Sequence, residues 1–562
     1  MNVIVILIFS LLIVFSYWKL PNTFFQQDEW QQLISLTYYA SKGIPGIIES
    51  FLPLDPVSHF NPLARAFVWY EYIFYYTNFS FYAWQSIILH IINTLLLYYF
   101  VHSWFKRKVL SIVSALVFAV NRIPNQAITW VAGAESYEIP ALFILLSLIF
   151  FQRFVDQQNY GRRNLFLSLA SLLISLLFHE NGLFLFLFYP AIILIKPYQI
   201  RKKLLPLLVR GIGLLIIIYF SVRIPFFFGF LSPEPQPTDT SRPSVAVYPT
   251  RFISITLKSF AGNIFAEKTL ITLSEQMVRL SYPQFLESDN IPNPYITQSI
   301  VFDLVSYILT LCIVCVIILL LKIIRVRELL DGYFWSLLYV PISLLPYGLV
   351  LGRAGFASIS DSKFYYISSI GIAILFGIIF FTLLTKFRRS KVLVVCIFLF
   401  FGIFLLRNIF SIKILLEDLE AIGVQRKKFL TTIKASYAKL PQKVIFFTES
   451  DTAYYGMPEE EKILPVQVGF GRMLMFWYQE SEKFPMCFYD GIFLRYILAQ
   501  GYRECGGRGF GYFRKYPDLL DTVKTNVALL DNVVSFSWNG RHWQFIDTTK
   551  IVKEKLREDL DE

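Results

Sequence analysis

The chain has 562 residues, of which 55% are hydrophobic, 18% aromatic and only 16% charged. Its mean hydropathy of +0.53 exceeds what a soluble globular protein of this size needs, which excludes an ordinary soluble enzyme and points to membrane-spanning helices. The formal net charge of +12 then belongs to loops beside a membrane, not to nucleic-acid binding.

About eleven hydrophobic runs qualify as spans on the ~20-residue criterion, several of them short. They cover residues 3–18, 83–104, 109–121, 139–154, 165–178, 182–195, 204–229, 301–322, 334–352, 364–385 and 392–411. The first lacks a basic leader and a small-residue cleavage site, so it reads as an uncleaved anchor helix. Basic clusters fall in alternate connections: Lys106–Lys108, Arg162 with Arg163, Arg201–Lys203, Lys322 with Arg325 and Arg327, and Lys386 with Arg388, Arg389 and Lys391. Positive-inside reasoning puts all of them in the cytoplasm. The long polar connections, and everything after the last span, then face outward.

The fold class expected is an α-helical polytopic membrane protein with a small C-terminal α+β extracytoplasmic domain. The boundary falls between 1–411 and 412–562. In the first outer loop, Asp28–Tyr39 and Leu63–Tyr76 carry helix-like apolar spacing. Leu415–Leu440 reads as an amphipathic helix, and Lys443–Phe447 as a buried strand. Val533–Trp538 and His542–Ile546 flank Asn539-Gly540, a hairpin signal. Cys487 and Cys505 are the two cysteines of this region; they read equally well as a disulfide or as two separate buried thiols.

Candidate chemistry gathers on the outward side. Asp28 and Glu29 follow the first run, where a carboxylate is far cheaper than at the bilayer centre. His59 and Arg65 share the same loop. Glu135 and Glu138 precede the fourth run, as helix-start carboxylates do. His179 and Glu180 sit in a turn too short to leave the membrane. Arg353, Asp361 and Lys363 precede the tenth. His90 and Asn93, three residues apart on one helix face, read as an interhelical hydrogen-bonding pair.

The runs Gln27-Asp28-Glu29, His59-Phe60-Asn61-Pro62-Leu63 and Leu89-His90-Ile91-Ile92-Asn93 resemble the amino-terminal half of GT-C glycosyltransferases, in particular the protein O-mannosyltransferase-like branch. Phe178-His179-Glu180-Asn181-Gly182 and Ser362-Lys363-Phe364-Tyr365-Tyr366-Ile367-Ser368-Ser369-Ile370-Gly371 are similar to later elements of the same pattern. Asn61 and Lys363 each stand where the pattern has arginine. Lysine keeps the charge but lacks the bidentate fork. Nothing in 412–562 matches.

The resemblance implies a glycosyltransferase that takes a sugar from a polyprenyl-phosphate donor and passes it to a protein or glycan hydroxyl on the outer face of a plasma or inner membrane. It implies Asp28 and Glu29 as the catalytic carboxylates and Lys363 and Arg353 as binders of the donor phosphate. His59, Glu180, His179 and Arg65 would position substrate. A divalent metal is left open, since Asp, Glu and His can hold one. Two rival readings are a transporter or lipid-linked glycan flippase, and a non-catalytic envelope assembly protein.

Overall fold

The computed structural model describes residues 3–26, 28–52, 61–156, 161–227, 247–265, 269–270, 272–274, 276–277, 294–321, 327–348, 362–450, 470–479, 481–482, 484–489, 501–539 and 544–561. Among the described residues, each of the eleven hydrophobic runs falls largely on a helix: Val3–Tyr17, Phe79–Phe105, Lys108–Ala119, Ile139–Asp156, Arg162–Phe178, Leu185–Ile195, Tyr198–Phe227, Pro294–Leu321, Arg327–Gly348, Tyr365–Phe387 and Lys391–Ser436; residues 228–229, 322 and 349–352 of these runs lie outside the described residues. Among the described residues, seven helices are long and apolar enough to cross a membrane. The number is eight if Lys108–Ala119 and Ile123–Thr129, bent by 57°, form one broken span. The eleven expected spans exceed this because some runs are short: Lys108–Ala119 has 12 residues and Leu185–Ile195 has 11. The protein is a helical, polytopic membrane protein with a small β-sheet region near its carboxyl end.

The chain folds as two compact units, one of residues 1–18, 52–67 and 83–414, the other of 19–51, 68–82 and 415–562. In the first unit, Tyr365–Phe387 is the inner helix. Its most apolar stretch is 72% buried, against 22% for the apolar stretch of Lys391–Ser436. The latter exposes Val392, Leu399, Phe400 and Ile403, as a lipid-facing helix does and a soluble one does not. Two glycines let the inner helix approach its neighbours. A Cβ on Gly377 would stand 2.9 Å from the Leu110 carbonyl oxygen, and one on Gly371 3.2 Å from that of Ser336. Small residues at such crossings replace the hydrophobic drive that lipid cannot supply.

The second unit carries a five-stranded mixed sheet in the order β2-β3-β1-β4-β5. The strands are β1 (Lys443–Ser450), β2 (Gly501–Cys505), β3 (Arg508–Phe513), β4 (Val533–Asn539) and β5 (Gln544–Asp547). β1 is central and parallel to both β3 and β4. Val444, Ile445, Phe446 and Phe447 are all buried, because a central parallel strand is covered on both faces. The crossover from β3 to β4 runs through the helix Tyr516–Thr525. Its Leu519 and Val523 join Ile445, Phe447, Val533, Val552 and Leu556 in one core.

The expected hairpin is present, with β4 and β5 antiparallel, but the register pairs Asn539 with Gln544. Asn539 therefore ends the strand and does not begin a two-residue turn. The tight turn is elsewhere: Gly506 and Gly507, at φ +57° and +77°, join Cys505 to its partner Arg508. Only a residue pair tolerant of positive φ closes so short a hairpin.

Cys487 and Cys505 are bonded, with Cα atoms 6.5 Å apart and a sequence separation of 18. Closing a loop of that length stabilises by about 3 kcal/mol. Replacing both cysteines with serine is expected to lower the denaturation midpoint accordingly. Under denaturing, non-reducing conditions, alkylation should label Cys312, Cys315 and Cys396 and spare this pair. Full alkylation of all five would refute the bridge.

Candidate functional site

In the first unit a polar network is built on Tyr366, on the inner helix, with His90 and Asn93 from Phe79–Phe105. His90 Nε2 lies 3.0 Å from the Ala119 carbonyl oxygen and its Nδ1 lies 2.9 Å from Tyr366 Oη. A carbonyl only accepts, so Nε2 carries the proton of a neutral ring, and Nδ1 accepts from the tyrosine hydroxyl. Asn93 Nδ2 donates to Tyr366 Oη at 3.1 Å and to the Glu138 carbonyl oxygen at 2.9 Å. The expected His90–Asn93 interhelical role is thus met, with one hydroxyl serving both residues. Every donor of this trio is engaged, and what remains is acceptor-rich.

Glu138 closes the network. It and Glu135 lie on Ala134–Glu138, one turn of π-helix immediately before Ile139–Asp156, a distortion that recurs at functional sites. Glu135 lies in the first turn of this element, as the sequence suggested; both carboxylates are buried, and Glu138 completely. The Glu138 charge acts on the hydroxyls of Tyr17 and Tyr366. Its carboxylate meets Ser86 without forming a hydrogen bond of ordinary geometry.

A second group borders the first through Tyr137, on the same π turn. The Tyr137 ring lies 6.0 Å from that of His179 and 6.3 Å from that of Phe364. His179 Nδ1 stands 3.9 Å from Glu180 Oε2, an ion pair only when the imidazole is protonated. Both side chains are largely buried. Asn181 Nδ2 donates to the Ser136 carbonyl oxygen at 2.6 Å, which ties the His179–Gly182 turn to the π turn. Lys363 sits on the short helical turn Ser362–Phe364. Its ammonium lies 3.9 Å from the centre of the Trp130 ring, a cation–π contact worth about 0.5–2 kcal/mol. Its backbone N–H donates to Gln126 Oε1 at 3.4 Å. Arg65 is half-buried on Pro62–Phe74. Two residues on, the Phe67 ring packs 6.3 Å from Phe178, the neighbour of His179.

Of the residues singled out from sequence, His179, Glu180 and Lys363 therefore share one neighbourhood of the first unit. His59 and Arg353 lie outside the described residues. Asp28 and Glu29 belong to the second unit, where they open the helix Asp28–Ser41. The Asp28 side chain lies outside the described residues. Glu29 is buried, and its charge acts on the buried guanidinium of Arg426. Arg426 Nη1 also donates to the Phe25 carbonyl oxygen at 3.3 Å.

Tyr366 and Arg426 were not among the candidate residues, and Glu138 was a candidate without an assigned role. The signal for Tyr366 was its place in the Ser362–Gly371 element. Arg426 had none beyond its position on an amphipathic helix. Among the described residues, no group of three or more His, Cys, Asp or Glu could hold a metal ion.

No protein-family model matches the chain, and no curated protein matches it. Among solved structures it is similar to ArnT from Cupriavidus metallidurans in the apo state. Identity there is 12%, over 95% of this chain and 92% of that one, with a TM-score of 0.37. It is similar also to the same protein bound to undecaprenyl phosphate, at 14% identity over 90% of this chain and 97% of that one, with a TM-score of 0.33.

Tyr366 is the residue whose loss reads out this network. Tyr366→Phe removes a donor to His90 and an acceptor for Asn93 at a buried site, which should destabilise the protein by about 1–3 kcal/mol. The measurement is thermal unfolding of the purified protein in detergent. An unchanged midpoint would mean that the network does not hold the helices.

Proposed function

We propose that this protein is a GT-C-type glycosyltransferase, of the mannosyltransferase-like kind, which moves a sugar from a polyprenyl-phosphate donor to a hydroxyl of a protein or glycan acceptor. One observation carries the reading. Three segments that resemble the family pattern, 89–93, 179–182 and 362–371, are far apart in sequence. Tyr366 bonds His90 and Asn93, and the π turn joins them to His179–Gly182.

In the proposed reaction the acceptor oxygen forms a bond to the anomeric carbon as the carbon–oxygen bond to the phosphate breaks. The bonding pair leaves with the polyprenyl phosphate. Asp28 takes the hydroxyl proton, work a carboxylate within hydrogen-bond reach can do. Lys363, with Arg353, offsets the negative charge that develops on the departing phosphate. Glu29 and the other carboxylates favour the cationic character of the sugar ring in the transition state. His59, His179, Glu180 and Arg65 orient donor and acceptor. A single displacement inverts the anomeric centre. A divalent metal at these carboxylates remains part of the test.

The outer face of a plasma or inner membrane is the proposed location, with the five basic connections in the cytoplasm and the carboxyl-terminal region outside. Reporter fusions after residue 420 should be active only outside the cytoplasm. Activity confined to the cytoplasm would sink the assignment of every site residue.

The decisive assay incubates membranes containing the protein with radiolabelled polyprenyl-phospho-sugars, with and without chelator. Asp28→Asn should lower transfer by roughly 10²–10⁴-fold, the usual worth of a general base. Lys363→Met should also lower it. Equal transfer by wild type and Asp28→Asn would overturn the reading in favour of a transporter or an assembly protein.

A further inference from the structure

The segment that carries the proposed catalytic pair is gripped by the carboxyl-terminal region, and the grip has three parts. The first is ionic. Lys19 Nζ lies 3.2 Å from Glu417 Oε1 and 3.3 Å from Glu420 Oε2, and Asn22 Nδ2 donates to Glu420 Oε1 at 3.2 Å. The second is steric. At Gly423 the two backbones nearly touch: a Cβ there would stand 2.7 Å from Phe24 N and 3.0 Å from Thr23 C. The third is aromatic. The Trp30 ring packs 6.0 Å from Phe476 and 6.4 Å from Trp477, and Phe24 lies 6.5 Å from Trp477.

Arg426 lies one turn beyond Gly423, in the middle of this grip. Its guanidinium donates to the Phe25 carbonyl oxygen at 3.3 Å, and the Glu29 charge acts on it. Arg426 and Glu29 are both buried. Removing the buried guanidinium leaves the Phe25 carbonyl oxygen without this donor, a cost typical of a buried polar group. The hydrogen bond therefore holds the backbone at Phe25, three residues before Asp28.

We propose that Arg426 is the positioning residue for the Asp28–Glu29 pair. The proposal rests on the reading of Asp28 and Glu29 as catalytic.

The test uses the full-length protein in detergent, with two readouts. Hydrogen exchange at the amides of residues 24–30 should accelerate in Arg426→Gln, and less in Arg426→Lys, while strand 443–447 stays protected. In the transfer assay Arg426→Gln should lower kcat by about a hundredfold, the scale of a misplacement near 1 Å, with the donor KM unchanged. Arg426→Lys should recover part of that loss.

Gly423→Ala supplies a second variant, which wedges the segment without altering a charge. It should reproduce the exchange change and the fall in kcat if Arg426→Gln does not fold. Wild-type exchange at 24–30 in both variants would overturn the grip. Faster exchange with undiminished kcat would overturn the positioning role. Equal transfer by wild type and Asp28→Asn would instead remove the transferase reading, and the exchange result would still decide whether Arg426 holds the segment.

Discussion

Apolar surroundings give a buried polar group no water to fall back on, so each must find its partner within the protein. That constraint organises the first unit. His90, Asn93 and Tyr366 sit where their helices cross, and each engages the others or a backbone carbonyl. The tyrosine hydroxyl is the economical element, because it donates once and accepts once. Histidine and asparagine together therefore need only one residue from the inner helix. The close crossings at Gly371 and Gly377 bring that helix near enough to supply it.

The same constraint explains the character of the second unit's entry segment. Phe25 and Trp30 are completely buried. Phe25 meets Trp30, Phe79 and Tyr82 at ring distances of 5.0, 5.1 and 5.4 Å. Beside this cluster the buried Arg426 guanidinium donates to the Phe25 carbonyl oxygen. Rigid aromatic packing and one buried guanidinium together hold a short, acidic stretch in one conformation.

Hydropathy located the helices because a long apolar run has few alternatives in a membrane protein. The eleven runs and eleven helices correspond for that reason. Central strand β1 was legible on similar grounds, as four consecutive apolar residues between polar flanks. Pairwise partnership was not legible. Nothing in residues 19–51 or 68–82 marks them as partners of residues beyond 415, since charge and aromatic content say that a segment will pack but not against what. The carboxylates at 135 and 138 looked like ordinary helix-start residues; a π turn, which has no sequence signature of its own here, turned them inward. The hairpin between β4 and β5 was anticipated, yet its turn is longer than Asn539-Gly540 suggests, because register is set by the whole strand pair.

The grip on the acidic segment also has a consequence for biosynthesis. Lys19 and Glu417 are 398 residues apart in the chain, and Phe25 and Arg426 are 401 apart. Residues 19–25 therefore cannot settle until residues 417–426 have been synthesised. Contacts of such long range form late. An emerging chain would carry its aromatic, acidic loop unclaimed while one helix after another entered the membrane. The order of synthesis thus makes the acidic segment, though made early, one of the last to be fixed.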